Sequence, residues 1–288
     1  MLIQWFPGHM AKTKRLILEH LKAVDLVAEL LDARIPYSSA NPMISELTAG
    51  KPRIVILNKA DLADPKETER WIAFYKEKGV RAIPLDSTSP KSKKILIAAI
   101  HEAGQPVIQK WARRGLKSRS VRLMILGIPN VGKSTLINRL AGAKAARTAN
   151  TPGHTRGKQW VRLQDGMDLL DTPGVLWPKF EDQTAAMRLA VTGAIAGDVF
   201  DPDEIVPALL SALVMMKPDV LKEKYDIEDV HADPQLLIAA AGRRRGCLLP
   251  GGGVDFDRAQ QAILLDFRNG KLGRLTLDAV PEEAHDSL

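Results

Sequence analysis

The hydrophobic positions of this 288-residue chain change rhythm about two-thirds of the way along. Short apolar runs recur at 24–31 (VDLVAELL), 53–57 (RIVIL), 80–85 (VRAIPL), 121–126 (VRLMIL), 159–163 and 167–170. Runs of this length, bounded by turn-forming residues, predict buried strands. Between them, 65–78, 92–103 and 133–141 read as helices. Such alternation predicts a doubly wound, mostly parallel sheet with helices on both faces. Past about residue 180 the strand pattern mostly stops, and 182–195, 203–216, 234–244 and 257–269 read as amphipathic helices. The segment 104–120 (GQPVIQKWARRGLKSRS) reads as an exposed basic linker. The expected organisation is an α/β domain over 1–178, with an N-terminal helical arm, and a small all-helical domain over 179–288.

Composition narrows the classes. With 45% hydrophobic and 26% charged residues the chain reads as soluble and globular, and its length suffices for two cores. The start, MLIQWFPGHMAKTKR, lacks the pattern of a secretory signal. The longest apolar stretch, 205–216, is too short to span a bilayer and contains Pro207, so no membrane partner is expected. A single cysteine, Cys247, excludes an internal disulfide or a zinc cluster and fits a reducing cytoplasm. Charge is divided unevenly. Residues 1–179 hold 30 Lys and Arg against 15 Asp and Glu, whereas the remainder holds 11 against 19. Two solvated surfaces of different pI would give this pattern; so would a first domain that faces a polyanion such as nucleic acid.

The candidate chemistry starts at GIPNVGKST, 127–135, where a strand ends and a helix opens. The spacing Gly-x-x-x-x-Gly-Lys-Ser belongs to loops whose backbone N–H groups curl around phosphates. Asn130, Val131, Gly132 and Thr135 would line this cradle. Lys133 would reach the β- and γ-phosphates, and Ser134 would ligate Mg²⁺. In LNKAD, 57–61, Asp61 can accept two hydrogen bonds from guanine N1–H and N2–H₂. Asn58 can bridge to the base and to neighbouring loops, the Lys59 stem lies over the base plane, and Ala60 belongs to the same turn. LDSTS, 85–89, would close over the base through Ser87 and Thr88. Thr155 is the candidate switch threonine on Mg²⁺, with Thr151 a rival. Asp171 and the Gly174 N–H in LLDTPGVLWP would complete the contacts to the metal and the γ-phosphate. The next residue, Val175, stands where signalling GTPases carry a water-orienting glutamine, and it has no hydrogen-bonding side chain.

The order of these segments is unusual: those that read the base precede those that hold the phosphates. The chain thereby resembles the circularly permuted GTPases. The resemblance is carried by WFPGHMAK (5–12), LLDARIPYSSANP (30–42), NKAD, GIPNVGKST, TPGHTRGKQW and DTPGVLWPKF. It is tight over 1–180 and looser beyond. It implies a permuted P-loop GTPase domain that binds GTP and GDP with Mg²⁺ and hydrolyses GTP. It also implies a helical RNA-contacting domain, and the assembling large (50S) ribosomal subunit, with its rRNA and proteins, as partner and stimulant. DNA is not among the implied partners, and the chain is expected to be a monomer off the ribosome. Two replacements for the missing glutamine follow from the resemblance. His9 could orient or deprotonate a water, and Asn130 could help to hold K⁺; His154 is a further rival. GRRRG, 242–246, is the strong basic patch of the acidic second domain. Two readings compete with a ribosome-assembly GTPase. One is a GTPase of membrane or metal transport, which would need a span or lipid signal. The other is a nucleotide-gated RNA-binding module with little turnover of its own.

Overall fold

The protein is described from a computed structural model, which defines residues 10–115, 120–141, 160–163, 166–170, 182–195 and 199–281. It divides into two compact units, one that runs to Pro178 and resumes at Asp278, and one spanning Lys179–Leu277.

The first unit is built on a six-stranded sheet. Its strands are β1 (Leu26–Asp32), β2 (Arg53–Asn58), β3 (Arg81–Leu85), β4 (Val121–Gly127), β5 (Trp160–Leu163) and β6 (Met167–Leu170). Their spatial order is β3-β2-β1-β4-β6-β5, parallel throughout except for the antiparallel β5–β6 pair. All seven residues of β1 are buried, as expected of a central parallel strand covered on both faces. Chain order runs outward from β1 through β2 to β3, then returns to β4 on the other side of β1. A doubly wound sheet opens a crevice at such a reversal, beyond the carboxyl ends of the two strands.

The helices here are α1 (Met10–Leu21), α2 (Pro36–Ser39), α3 (Pro42–Leu47), α4 (Pro65–Glu77), α5 (Ser92–Arg113) and α6 (Lys133–Ala141). Ile17 and Leu21 of α1 pack with Val27, Met124, Leu126 and Leu170 of the sheet. Trp71 and Tyr75 of α4 pack with Leu31, Val55 and Leu57. The segment 104–120 is not a linker over its first ten residues, because α5 continues to Arg113 through Pro106. A helix-interior proline costs roughly 3 kcal/mol. Tertiary burial offsets it: Trp111 is buried, and at Gly104 an added Cβ would lie only 3.7 Å from a Val121 methyl.

The second unit contains α7 (Gln183–Thr192), α8 (Pro202–Met216), α9 (Pro218–Tyr225), α10 (Pro234–Arg244) and α11 (Phe256–Arg268). Its acidity has a partly local origin. Asp182, Asp201, Asp233 and Asp255 each accept a backbone N–H in the first turn of the helix that follows. A carboxylate there satisfies an otherwise orphaned donor and opposes the positive end of the helix dipole. Proline follows Asp201 and Asp233 at the position where its missing N–H costs nothing. Segment 218–225 forms an eight-residue helix that apolar periodicity did not single out. Among the described residues, no helix is long and apolar enough to cross a membrane.

The chain then returns to the sheet unit. Ser38 donates to the buried Asp278 carboxylate from its backbone N (2.7 Å) and its Oγ (2.8 Å), and Trp71 Nε1 donates to the Asp278 carbonyl (3.3 Å). Val280 packs on the Trp71 cluster. Asp278→Ala removes the acceptor of both Ser38 bonds and leaves a buried backbone N–H without its partner. It is expected to destabilise this unit by about 2–4 kcal/mol. A urea melt followed by tryptophan fluorescence reads the change, and an unchanged midpoint would show that the tail contributes nothing.

Candidate functional site

The crevice between β1 and β4 is where the candidate residues meet. Strand register sets Asp32 of β1 beside Asn58 of β2, and Asn58 beside Leu85 of β3. Leu30 of β1 lies beside Gly127 of β4, the first glycine of the phosphate-loop spacing. A Cβ on Gly127 would stand 2.7 Å from the Leu30 carbonyl oxygen, so only glycine lets β4 leave the sheet so close to β1. The loop then turns through Asn130 (φ 56°) and Gly132 (φ 100°) into α6 at Lys133. Asparagine tolerates left-handed backbone; at φ near 100° a side chain is strained whatever the space. A cleft of about 560 Å³ opens here, lined by Ile128, Pro129, Asn130, Gly132, Lys133, Ser134 and Thr135. The cleft faces the first turn of α6, where backbone N–H groups lack intrahelical partners and the dipole favours an anion.

Asn58 ties the three loops together. Its Nδ2 donates to the Val131 carbonyl of the phosphate loop (2.7 Å), and its Oδ1 accepts from the Ser87 N–H of the β3 loop (3.0 Å). The side chain is fully buried, so both bonds form away from water. Ala60 N–H donates to the Leu85 carbonyl (3.1 Å), and Arg139 of α6 donates to the Thr88 carbonyl. Asp61 and Thr88 are exposed on the same loops, Ser87 is buried, and Val131 is buried beneath the cradle.

Lys59 makes a second tie. Its backbone is left-handed (φ 59°), a conformation that costs a non-glycine residue roughly 1 kcal/mol or more. Its Nζ donates to Asp32 Oδ2 (2.9 Å) and to the Asn130 carbonyl (3.0 Å). Arg34 grips the same Asp32 carboxylate through Nε (2.9 Å) and Nη2 (2.7 Å). Burial opposes the charge on Asp32, but Arg34 and Lys59 outweigh it and hold the carboxyl well below the usual carboxylate range. Asp32 and Arg34 were not among the sequence candidates. Their signal was a charged pair, Asp-Ala-Arg, at the carboxyl end of a strand whose other charged residue is Glu29.

The structure thus gathers Asn58, Lys59, Ala60, Asp61, Ser87, Thr88, Asn130, Val131, Gly132, Lys133, Ser134 and Thr135 at the carboxyl edge of the sheet. His9, Thr151, His154, Thr155, Asp171, Gly174 and Val175 lie outside the described residues. The donor set fits the expected ions as far as it is described. Ser134 presents an exposed hydroxyl on the first turn of α6, a hard oxygen of the kind Mg²⁺ takes when phosphates supply further ligands. Asn130 lines the same cleft with an amide oxygen suited to a monovalent cation.

Comparison with known proteins gives four findings. A family model described as "50S ribosome-binding GTPase" matches residues 122–232. Ribosome biogenesis GTPase A of Priestia megaterium is 46% identical over 289 residues, covering 100% of both chains. The protein of that name in Thermotoga maritima is 30% identical over 98% of this chain and 95% of its own. The crystal structure of GNP-bound YlqF from T. maritima matches with a TM-score of 0.67 at 28% identity, over 93% of this chain and 98% of that one.

Proposed function

Because the chain belongs to the ribosome biogenesis GTPase A family, we propose that it hydrolyses GTP to drive or time assembly of the large ribosomal subunit, with the particle stimulating turnover. The observation that supports this most directly is the joining of two loop sets through one buried side chain. Asn58 links the loop that would read the base to the loop that would hold the phosphates. One nucleotide spanning the crevice would therefore engage both. Asp61 accepts from the guanine edge, the Lys59 stem lies under the base, and Ser87 and Thr88 close the loop above it. Lys133 and the backbone N–H groups of 130–135 bind the phosphates. Ser134, Thr155 and Asp171 hold Mg²⁺, which when bound neutralises phosphate charge, and the Gly174 N–H meets the γ-phosphate. His9 orients the attacking water in place of a glutamine, and Asn130 would help to hold a K⁺, which would supply positive charge to the phosphates. The site works in the cytoplasm on a monomeric chain whose basic first domain faces rRNA.

Single-turnover hydrolysis, measured with and without purified large subunits and in K⁺ against Na⁺, tests this reading. The particle is expected to raise the rate at least about tenfold, as an ordering partner does for other GTPases, and K⁺ to exceed Na⁺. A rate indifferent to the particle, with nucleotide-dependent binding to it intact, would instead favour a nucleotide-gated RNA-binding module.

A further inference from the structure

The strongest unassigned feature is the buried ion cluster at the end of β1. One carboxylate, Asp32, lies between two cations. Its Oδ1 accepts from the backbone N (3.1 Å) and Nε (2.9 Å) of Arg34, and its Oδ2 from Arg34 Nη2 (2.7 Å) and Lys59 Nζ (2.9 Å). Ser39 Oγ accepts the backbone N–H of Asp32 at 3.0 Å, which fixes the strand end from the α2 side. Asp32 and Arg34 are almost wholly buried, whereas the Lys59 side chain retains 23% exposure.

Lys59 is consequently held at both ends. Its backbone sits in a left-handed turn two residues before Asp61, and its Nζ is anchored on β1 and on the phosphate loop. A lysine with one surface contact samples many rotamers; a lysine stretched between two fixed acceptors presents one apolar stem in one place. A planar base stacks well only on a surface that is already ordered, because ordering it at the moment of binding subtracts from affinity.

We infer that Asp32 is a positioning residue of the nucleotide site, acting through Lys59 to preorganise the platform for the guanine ring and to lock that platform to the phosphate loop. Arg34 serves Asp32 in turn: its bidentate grip fixes the carboxylate plane, so that Oδ2 points at Lys59 and not at solvent. The inference rests on the nucleotide site proposed above and adds a residue that touches neither base nor phosphate. Its consequence is specific. Asp32 governs affinity for the guanine nucleotide more than the rate of phosphoryl transfer, since Lys59 reaches the phosphate loop at the Asn130 carbonyl, on the far side of the loop's glycine from Lys133 and Ser134.

The test is a double-mutant cycle on the full-length protein, read by calorimetric titration with GDP and by the dependence of turnover on GTP concentration. Asp32→Asn keeps the shape but removes the negative charge and turns one of the two acceptor oxygens into a donor that faces a cation. It is expected to weaken GDP binding about tenfold and to raise KM by a similar factor, with kcat within about twofold of the parent. Lys59→Met, which leaves the Asp32–Arg34 pair intact, is expected to lose the same factor. Asp32→Asn added to Lys59→Met should then cost no further affinity. Equal losses from Asp32→Asn in both backgrounds would overturn the inference, as would a fall in kcat at unchanged KM. If Asp32→Asn fails to fold, Lys59→Met decides alone: parental GDP affinity there overturns the inference. Asp61→Asn is the control on the underlying site and should favour xanthosine triphosphate over GTP. If it does not, the base-loop reading fails, and the inference with it.

Discussion

Lys133→Ala is expected to reduce GTP turnover by on the order of a thousandfold while leaving the fold intact. Lys133 is the first residue of α6 and lines the cleft at the carboxyl edge of the sheet. Its ammonium is the formal positive charge among the seven residues that line that cleft. A donor aimed at developing charge in a partly enclosed site contributes about a hundred- to a thousandfold in rate, and a charged one on phosphate is at the upper end of that range. Alanine is a good helix former at such a position, so α6 should persist. Ser134→Ala removes the hydroxyl proposed for Mg²⁺ and is expected to act in the same direction. Single-turnover hydrolysis with saturating GTP, beside a thermal melt of each variant, distinguishes lost chemistry from lost structure. A Lys133→Ala protein turning over at the parental rate would remove the phosphate-loop assignment.

The second large effect is expected at Gly132. A Cβ there would lie 2.3 Å from Asn58 Nδ2 and 3.3 Å from Ser87 Oγ. The backbone at φ 100° is strained for any side chain, independently of space. Gly132→Ala must therefore displace the Asn58 amide, which breaks its bonds to the Val131 carbonyl and the Ser87 N–H. Backbone strain of about 1–3 kcal/mol and two buried groups left without partners, about 1–3 kcal/mol each, are expected to drive the loops out of this arrangement, and restoring it on binding costs at least about a hundredfold in affinity. GDP titration should show affinity lost beyond that factor, and thermal melts a lower midpoint. Parental affinity would mean that Asn58 does not couple the two loops.

Parts of this site were legible in the sequence because they depend on local rules. The two glycines of GIPNVGKS read as a loop that curls its backbone N–H groups around phosphates, and the structure gives each glycine a physical reason: the Leu30 carbonyl behind Gly127 and the Asn58 amide behind Gly132. The strands were legible because parallel strands buried on both faces are continuous apolar runs. The later helices were legible in part through their amphipathic spacing. Other features depend on tertiary partners, which periodicity does not encode. Helix α5 crosses Pro106 because Trp111 and Gly104 are buried against the fold, so a local helix breaker gave the wrong boundary. Asp32 and Arg34 entered the sequence reading only as part of LLDARIPYSSANP, and their role depends on Lys59, brought to them from 27 residues downstream. The Ser38–Asp278 contact joins positions 240 residues apart through single side chains. No repeat or composition shift marks it.

That last contact also bears on how the protein is made. The sheet unit is interrupted by the helical unit, and its buried Asp278 emerges from the ribosome after every strand and after α11. At about 5–20 residues per second, synthesis of the 99 residues between Pro178 and Asp278 takes roughly 5–20 s. Throughout that interval the nascent sheet unit waits with Ser38 and Trp71 lacking the partner that covers them in the finished chain. Completion of the first unit is thereby timed to follow synthesis of the second. A chain cut short within the helical unit lacks the residue that closes the sheet unit, and its sheet unit is expected to be less stable than that of the full-length chain.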